Sequence, residues 1–288
     1  NPHWADRDRF ILSAGHGSML LYALLYLTGY DDITIDEIRN FRQLGSKTAG
    51  HPEYGHAAGI ETTTGPLGQG IANSVGFALG ERIMNAAFGN DLVDHYTYAL
   101  VGDGDLMEGV CQEAASIAGT WGLGKLIWLY DDNQITLDGE TAMTFTEDTP
   151  AKFRALGWHT ISVADGNDVD EILKAIVAAK AVKDQPTLIS IRTVIGYGSP
   201  NKQGTSKAHG SPLGKDEIKL VKEAFGWPQE DFYVPGEALE HFRESVERGA
   251  AWEAQWESQF QQWRSAYPDL ATQWDSAFSG QLPAGWDA

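Results

Sequence analysis

Cysteine, basic residues and long apolar runs are all scarce in this sequence of 288 residues. The single cysteine, Cys111, excludes an internal disulfide framework. Lys and Arg number 21 against 40 Asp and Glu, and a net charge of −19 would repel a phosphate backbone, so we expect no nucleic-acid partner. No apolar run approaches the roughly 18 residues of a membrane-spanning helix, and no signal peptide is visible. We therefore expect a cytoplasmic protein without a membrane partner.

Apolar residues make up 42% of the chain, which is enough to bury a large core. The first hundred residues read as helices separated by glycines. These predicted helices span residues 19–29, 36–42 and 67–89. Gly70, Ser74 and Ala78 recur every four residues in the last of them, and their small side chains would let another backbone approach closely. We expect the helices over 19–29 and 67–89 to be buried.

Short apolar runs alternate with helical periods from residue 95 onward. The predicted strands are HYTYALV at 95–101, KLIWLYDDN at 125–133, HTISVAD at 159–165 and PTLISIRTV at 186–194. The helices between them cover 108–122, 152–156 and 168–182. This order predicts an α/β fold, with a parallel sheet and helices on both faces.

A mainly helical C-terminal extension is predicted over 214–288, with helices at 214–225 and 237–266. The second helix carries an aromatic stripe with spacings of four, four and three, which is one face of a helix. The stripe consists of Trp252, Trp256, Phe260 and Trp263. We interpret it as a packing surface and not as a binding site.

Two acidic residues lie in the glycine-rich stretch GDGDLMEGV, residues 102–110, directly after a predicted strand. Ligands of parallel sheets bind beyond the carboxyl ends of the strands. The next strand ends at Asn133, 30 residues after Asp103, so the two side chains would emerge side by side if their strands are neighbours. Carboxylate and carboxamide oxygens suit Mg²⁺, and Gly102 and Gly104 would let the backbone approach a diphosphate. An ordinary turn is the alternative, but the spacing to Asn133 favours a metal-diphosphate site.

These stretches resemble a known motif. GDGDLMEGVCQEAASIAG followed by KLIWLYDDNQITLDG is similar to the thiamine diphosphate motif, which begins with GDG and ends in a distant asparagine, in the form found in transketolases. The resemblance continues through RDRFILSAGHGS, FRQLGSKTAGHPE, TTTGPLGQG, IGYGSPN and HGSPLG. The whole chain, residues 1–288, thus resembles the amino-terminal diphosphate-binding domain of a transketolase.

The resemblance implies thiamine diphosphate and Mg²⁺ as cofactors, with Ca²⁺ or Mn²⁺ as substitutes for the metal. Asp103, Asn133 and the main-chain carbonyl of Ile135 would be the metal ligands. Gly104 would donate its N–H to the diphosphate. Asp105 stands where the family often has a small uncharged residue or cysteine, which adds negative charge near the metal.

Further residues are expected by resemblance to line the rings of the cofactor. Gly65 would bind the aminopyrimidine through its carbonyl, Leu67 would pack against the rings, and Ile195 would pack nearby. The structural alternative for GPLG is a helix start with an early proline and a closely packed glycine.

Three of the eight histidines lie in glycine-containing loops where a side chain can face a cleft. By resemblance, His16 and His209 approach the diphosphate and the reacting centre, and His51 approaches the hydroxyls of the donor sugar. Imidazole can donate a hydrogen bond to an anionic oxygen or exchange a proton near neutral pH. Without the resemblance, a structural role would be favoured for any one of them.

Glu108 and Glu113 are expected at the start and middle of the helix after GDG. By resemblance, they belong to a dimer interface where acidic side chains of two subunits share protons. The alternative for Glu108 is stabilisation of the helix N-terminus by an acid in the first turn.

The implied reaction is transfer of a two-carbon ketol unit from a ketose phosphate to an aldose phosphate, a step of the pentose phosphate pathway. The resemblance also implies a homodimer and a glutamate from a pyrimidine-binding domain, of the same or a partner chain. No such domain fits in 288 residues, the family's upstream SGHPG motif is absent, and the sequence starts at Asn1. We therefore expect a truncated sequence that is inactive by itself.

Two other functions remain open. A thiamine-dependent 2-oxoacid dehydrogenase component shares GDG and the distant asparagine, although the contexts GPLGQG and HGSPLG favour transketolase. A non-catalytic cofactor-binding module that acts with a partner chain is the other.

Overall fold

The computed structural model describes residues 1–280, 282 and 285–287. Its centre is a five-stranded sheet in which every neighbouring pair is parallel, with the order β1-β2-β3-β5-β4. The strands are β1 (Arg9–Leu12), β2 (Thr97–Gly102), β3 (Leu126–Asp132), β4 (His159–Val163) and β5 (Thr187–Arg192). The predicted α/β fold with a parallel sheet is confirmed.

Helices connect and cover these strands. They are α1 (Ser18–Leu27), α2 (Ile35–Arg39), α3 (Gln69–Phe88), α4 (Asp103–Met107), α5 (Gly109–Trp121), α6 (Thr149–Ala155), α7 (Val169–Ala181), α8 (Lys215–Ala224), α9 (Gly236–Ala266) and α10 (Pro268–Ser279). Asp148 and Asp168 cap the N-termini of α6 and α7 by accepting backbone N–H groups. None of the helices in the described ranges is long and apolar enough to cross a membrane.

Both faces of the sheet are buried. Successive side chains of a strand point to opposite sides, so each strand contributes residues to both of these faces. On one face, Val101 and Trp128 belong to a core that includes residues of α3, α5 and α6. On the other face, Ile127 and Ile189 pack with residues of α7, and Leu12 packs with residues of α1. The strands therefore read as nearly continuous apolar runs.

The small residues of α3 have the role that their spacing predicts. A Cβ atom added at Gly70 would lie 2.5 Å from the Cα atom of Ser13, so the backbones of α3 and the end of β1 meet there. Ser74 accepts a hydrogen bond from the indole of Trp128 at 2.9 Å. Ala78 is also buried.

Two local features differ from the sequence-based expectations. β1 was not predicted, because its apolar run RFIL is only four residues long. The chain does not form an open turn at GDG but coils at once into α4, because the Asp105 carboxylate accepts the backbone N–H of Gly102 at 3.0 Å. Glu108 consequently lies between α4 and α5 and does not begin the second helix.

The C-terminal segment is helical as expected, but α10 was not predicted as a separate helix. Trp256 and Phe260 are buried, and the Trp256 indole donates a hydrogen bond to the carbonyl of Leu92 at 3.0 Å. The stripe prediction was wrong for Trp252, which is 60% exposed. Residues 281, 283, 284 and 288 of the predicted extension 214–288 lie outside the described residues.

Candidate functional site

The candidate metal ligands lie where two neighbouring strands end. β2 and β3 are parallel partners, with Gly102 opposite Asp131. Asp103 follows the last residue of β2, and Asn133 follows the last residue of β3. The two side chains therefore leave the same edge of the sheet from adjacent strands, which is the arrangement that their spacing of 30 residues predicts.

The carboxylate of Asp103 is buried and only half satisfied. Its Oδ1 atom accepts a hydrogen bond from the hydroxyl of Tyr130 at 2.5 Å. Its Oδ2 atom has no hydrogen-bond partner in the described part of the chain. Burial raises the pKa of Asp103 to about 6, and the negative charges of Asp132 and Asp131 add to this rise. The bond from Tyr130 opposes the rise, and so does the nearby backbone N–H of Gln134, which does not reach Oδ2 with hydrogen-bond geometry. A buried oxygen of this kind calls for a cation or a donor.

Asn133 lies in a tight turn that leads to Ile135. Its amide Nδ2 donates to Asp131 at 3.1 Å, and its Oδ1 accepts the backbone N–H of Ile135 at 2.9 Å. Gln134, between them, has a φ of 62°, a left-handed conformation that bends the chain back. Asn133 and Ile135 are thus held next to each other.

Asp105 has a structural role that the sequence did not reveal. It is fully buried, and its Oδ1 atom accepts bonds from the Ser13 hydroxyl and the Gly68 N–H, each at 2.8 Å. With the bond from Gly102, this one carboxylate joins the end of β1, the GPLG loop and the end of β2. The only signal in the sequence was an acidic residue close to a buried strand end.

The GPLG loop packs directly against the start of α4. A Cβ atom at Gly104 would lie 2.7 Å from Cδ1 of Leu67, so glycine is needed for this approach. Gly65 has a φ of 139°, and a Cβ atom there would lie 3.1 Å from Cγ of His51. The structure therefore brings four of the predicted site residues into two contacting pairs.

The two histidines predicted near the diphosphate also meet. The rings of His16 and His209 are stacked, with centroids 5.2 Å apart and planes inclined by 13°. Burial lowers the pKa of His16, the ring of His209 lowers it further, and the carboxylate of Asp105 opposes the shift. The Nδ1 atom of His209 is buried and finds no partner among the residues that the structure describes.

Three predicted residues are not joined to these pairs by a hydrogen bond in the described structure. The carbonyl of Ile195 accepts the N–H of Gly204 at 2.8 Å, within its own loop. Glu108 and Glu113 are exposed. Glu108 lies close to the GPLG loop, because a Cβ atom added at Gly68 would lie 2.8 Å from the Cβ atom of Glu108. Their interface role stays a prediction.

The candidate metal ligands at this edge of the sheet all offer oxygen atoms. Within residues 1–280, 282 and 285–287, no group of three or more His, Cys, Asp or Glu side chains could hold a metal ion. Asp103, Asn133 and the Ile135 carbonyl contain one such side chain, so they fall outside that class. One carboxylate and two neutral oxygens leave room for phosphate and water, as Mg²⁺ prefers.

Comparison with known proteins shows which family the chain belongs to. The family model described as transketolase, thiamine diphosphate binding domain, matches residues 1–283. The chain belongs to the transketolase family. It is 55% identical to a transketolase of Halalkalibacterium halodurans and 56% identical to one of Geobacillus stearothermophilus, with 100% of this chain covered in both cases. It spans 44% of the length of each of these relatives.

Solved transketolase structures have the same fold. A transketolase of Pichia stipitis in complex with sedoheptulose 7-phosphate matches with a TM-score of 0.96 and 45% identity, over 100% of this chain and 43% of that one. A transketolase from Leishmania mexicana matches with a TM-score of 0.96 and 46% identity, over 99% of this chain and 43% of that one. These matches favour the transketolase family over a 2-oxoacid dehydrogenase component.

Proposed function

We propose that this chain is the diphosphate-binding half of a transketolase, which transfers a two-carbon ketol unit from a ketose phosphate to an aldose phosphate. The observation that carries the proposal is the buried Oδ2 atom of Asp103, which has no hydrogen-bond partner among the described residues and lies at a strand end next to that of Asn133. A divalent cation bridging to a diphosphate would satisfy that oxygen. The Pichia stipitis complex with a sugar phosphate supports the substrate class.

Each metal ligand in this proposal is an oxygen atom. Asp103, Asn133 and the carbonyl of Ile135 would hold Mg²⁺, with Ca²⁺ or Mn²⁺ as substitutes, and the N–H of Gly104 would bind the diphosphate. Thiamine diphosphate, when bound, would supply the electron-accepting ring that ketol transfer needs. Gly104 is suited to this role because its missing side chain already allows close contact with Leu67.

The remaining predicted residues would orient the cofactor and the sugar. Gly65, Leu67 and Ile195 would contact the rings of thiamine diphosphate. His16 and His209 would hold the diphosphate and exchange protons at the reacting centre. The lowered pKa of His16 favours the neutral ring, which can both donate and accept a hydrogen bond. His51, which packs against Gly65, would bind the hydroxyls of the donor sugar.

The proposed enzyme needs more than this chain, which spans 44% of the Halalkalibacterium halodurans relative. We propose that residues 1–288 form one domain, with 214–288 as a mainly helical extension. A pyrimidine-binding domain of the same or a partner chain would complete the cofactor site. The complete enzyme would be a cytoplasmic homodimer of the pentose phosphate pathway, with Glu108 and Glu113 at its interface.

Calorimetry with thiamine diphosphate tests the metal site, first with Mg²⁺ and then with excess chelator. We expect binding to depend on Mg²⁺, because Asp103 would otherwise repel the diphosphate. Asp103→Ala and Asn133→Ala should each weaken binding strongly. Asp132→Ala is the matched control, since Asp132 lies beside the ligands and pairs with Arg192 at 3.6 Å. Equal affinity with and without Mg²⁺ would overturn the metal-bridge proposal.

A further inference from the structure

A hydroxyl group of β3 engages one oxygen of the candidate metal ligand Asp103. Tyr130 is buried, and its hydroxyl donates to Oδ1 of Asp103 at 2.5 Å. A carboxylate that rotates freely offers either oxygen to a cation. Because Oδ1 is engaged, Oδ2 is the atom left for another ligand, and it is buried without a partner in the described ranges.

The next residue of β3 engages the other side-chain ligand. Asp131 accepts the Nδ2 amide of Asn133 at 3.1 Å and also accepts the hydroxyl of Thr193. A carboxamide has a donor end and an acceptor end, and only the oxygen end can bind a cation. The bond to Asp131 fixes the nitrogen end, so the Oδ1 atom of Asn133 lies on the opposite side, where it accepts the N–H of Ile135.

We propose that Tyr130 and Asp131 are positioning residues that select which oxygen atom of Asp103 and of Asn133 is presented to the metal. The inference rests on the proposed function of this edge as a metal-diphosphate site. Consecutive residues of a strand point to opposite faces, so Tyr130 and Asp131 can each contact a different candidate ligand. The pairing of Gly102 with Asp131 brings the start of α4 alongside this dipeptide.

A purely structural role makes a different prediction from a positioning role. If the bond from Tyr130 only stabilises the fold, its loss lowers the thermal midpoint and leaves the metal affinity of the folded protein unchanged. If Tyr130 positions Asp103, its loss weakens metal binding more than it weakens the fold. Tyr96 gives a matched control, because its hydroxyl is hydrogen-bonded to Lys183 at 2.8 Å near the start of β2, at the opposite edge of the sheet.

The experiment measures Mn²⁺ binding to the purified 288-residue chain by electron paramagnetic resonance, in saturating thiamine diphosphate. We expect Tyr130→Phe and Asp131→Asn each to lower Mn²⁺ affinity about tenfold or more, whereas Tyr96→Phe changes it less than about twofold. The thermal midpoint of Tyr130→Phe without metal should fall no further than that of Tyr96→Phe.

The outcomes separate this inference from the proposed function. If the wild-type chain binds Mn²⁺ no better than Asp103→Ala, the metal site itself fails and the inference fails with it. If Asp103→Ala abolishes binding but Tyr130→Phe and Asp131→Asn behave like Tyr96→Phe, the metal site stands and the positioning role is overturned. An affinity loss that only follows the loss of stability also overturns it.

Discussion

The imidazole rings of His16 and His209 are stacked with their centroids 5.2 Å apart, although one follows β1 and the other follows β5 by many residues. Two imidazole rings at this distance are not easily protonated together, because a positive charge on one ring raises the free energy of protonating the other. The second ring therefore helps to keep His16 neutral, in addition to burial.

His209→Asn should raise the pKa of His16, because the variant removes a neighbouring charge that lowers it. Nuclear magnetic resonance of the His16 ring protons across pH 5 to 8 would measure the change, in a range typical for histidine. His51→Asn is the matched control and should raise the pKa less, since the charge of His51 contributes less than that of His209. An unchanged or lowered His16 midpoint in His209→Asn would contradict this account of the stacked pair.

Metal affinity should fall as the pH falls through about 6, the pKa of Asp103. Protons compete with the cation for the carboxylate below that pH. The hydrogen bond from Tyr130 lowers this pKa, so Tyr130→Phe should move the midpoint to a higher pH. Mn²⁺ titrations of both proteins at several pH values test this, because each series gives the pH at which Mn²⁺ affinity is half lost. The ionisation of thiamine diphosphate affects both proteins equally, so it does not contribute to the difference between the two midpoints. Identical midpoints would show that Asp103 is not the titrating group.

The same pKa has a consequence for stability without metal. A carboxyl group whose pKa is raised by folding stabilises the native state at pH values below its unfolded pKa of about 3.9, and that contribution disappears as the pH rises through about 6. The chain without metal should therefore lose this contribution between those values, and Asp103→Asn should not. Thermal midpoints of the two proteins from pH 4 to 7, at fixed ionic strength, would report the difference.

Asp105→Asn should destabilise the fold, because a single amide oxygen cannot replace two carboxylate oxygens that accept three donors. At least one buried donor then loses its partner, at a cost of about 1–3 kcal/mol in the free energy of unfolding. Urea denaturation measures this. Ser13→Ala removes one of the three donors and also the acceptor of the buried Ile71 N–H, so it should be destabilising as well. A loss below about 0.5 kcal/mol for Asp105→Asn would mean that other groups satisfy the donors.

Features with a local signal could be predicted from the sequence. β3 is a clear apolar run, and Asn133, directly after it, lies one strand-helix-strand repeat after Asp103. The spacing therefore predicted that these two candidate ligands emerge side by side if their strands are neighbours, which β2 and β3 are. The close approach of another backbone at Gly70 followed from the small-residue spacing of α3, although its partner, Ser13, did not. β1 was not predicted, because a strand of four residues is too short to show a clear periodicity.

Contacts between distant segments could not be predicted in this way. Ser13 and Gly68, the partners of Asp105, lie 92 and 37 positions away in the chain, and no sequence pattern around Asp105 identifies them. The bond from Tyr130 to Asp103 depends on the register of β2 against β3, which only the folded sheet defines. The sequence indicated only that Asp105 adds negative charge near the metal, and it did not show that hydrogen bonds engage both of its carboxylate oxygens.

The 288-residue chain by itself should have no significant ketol-transfer activity. The family resemblance implies that a carboxylate of the pyrimidine-binding domain activates the aminopyrimidine of the cofactor, and a general acid-base step of this kind typically contributes about a hundredfold to ten-thousandfold. An incomplete site would also admit water, which weakens the electrostatic interactions that a closed site strengthens. Activity should therefore appear only when a complementary domain is added.

The measurement is an assay of the purified chain with thiamine diphosphate, Mg²⁺, a ketose phosphate donor and an aldose phosphate acceptor, after intact mass has excluded any longer chain. The remaining part of the Geobacillus stearothermophilus transketolase, whose matching part is 56% identical to this chain, is a suitable partner for reconstitution. Asp103→Ala, mixed with the same partner, is the control and should stay inactive. Robust turnover by the chain alone would mean that activation comes from within these residues. Metal-dependent cofactor binding without turnover after mixing would favour a non-catalytic cofactor-binding module, because the site would then bind the diphosphate without completing the reaction.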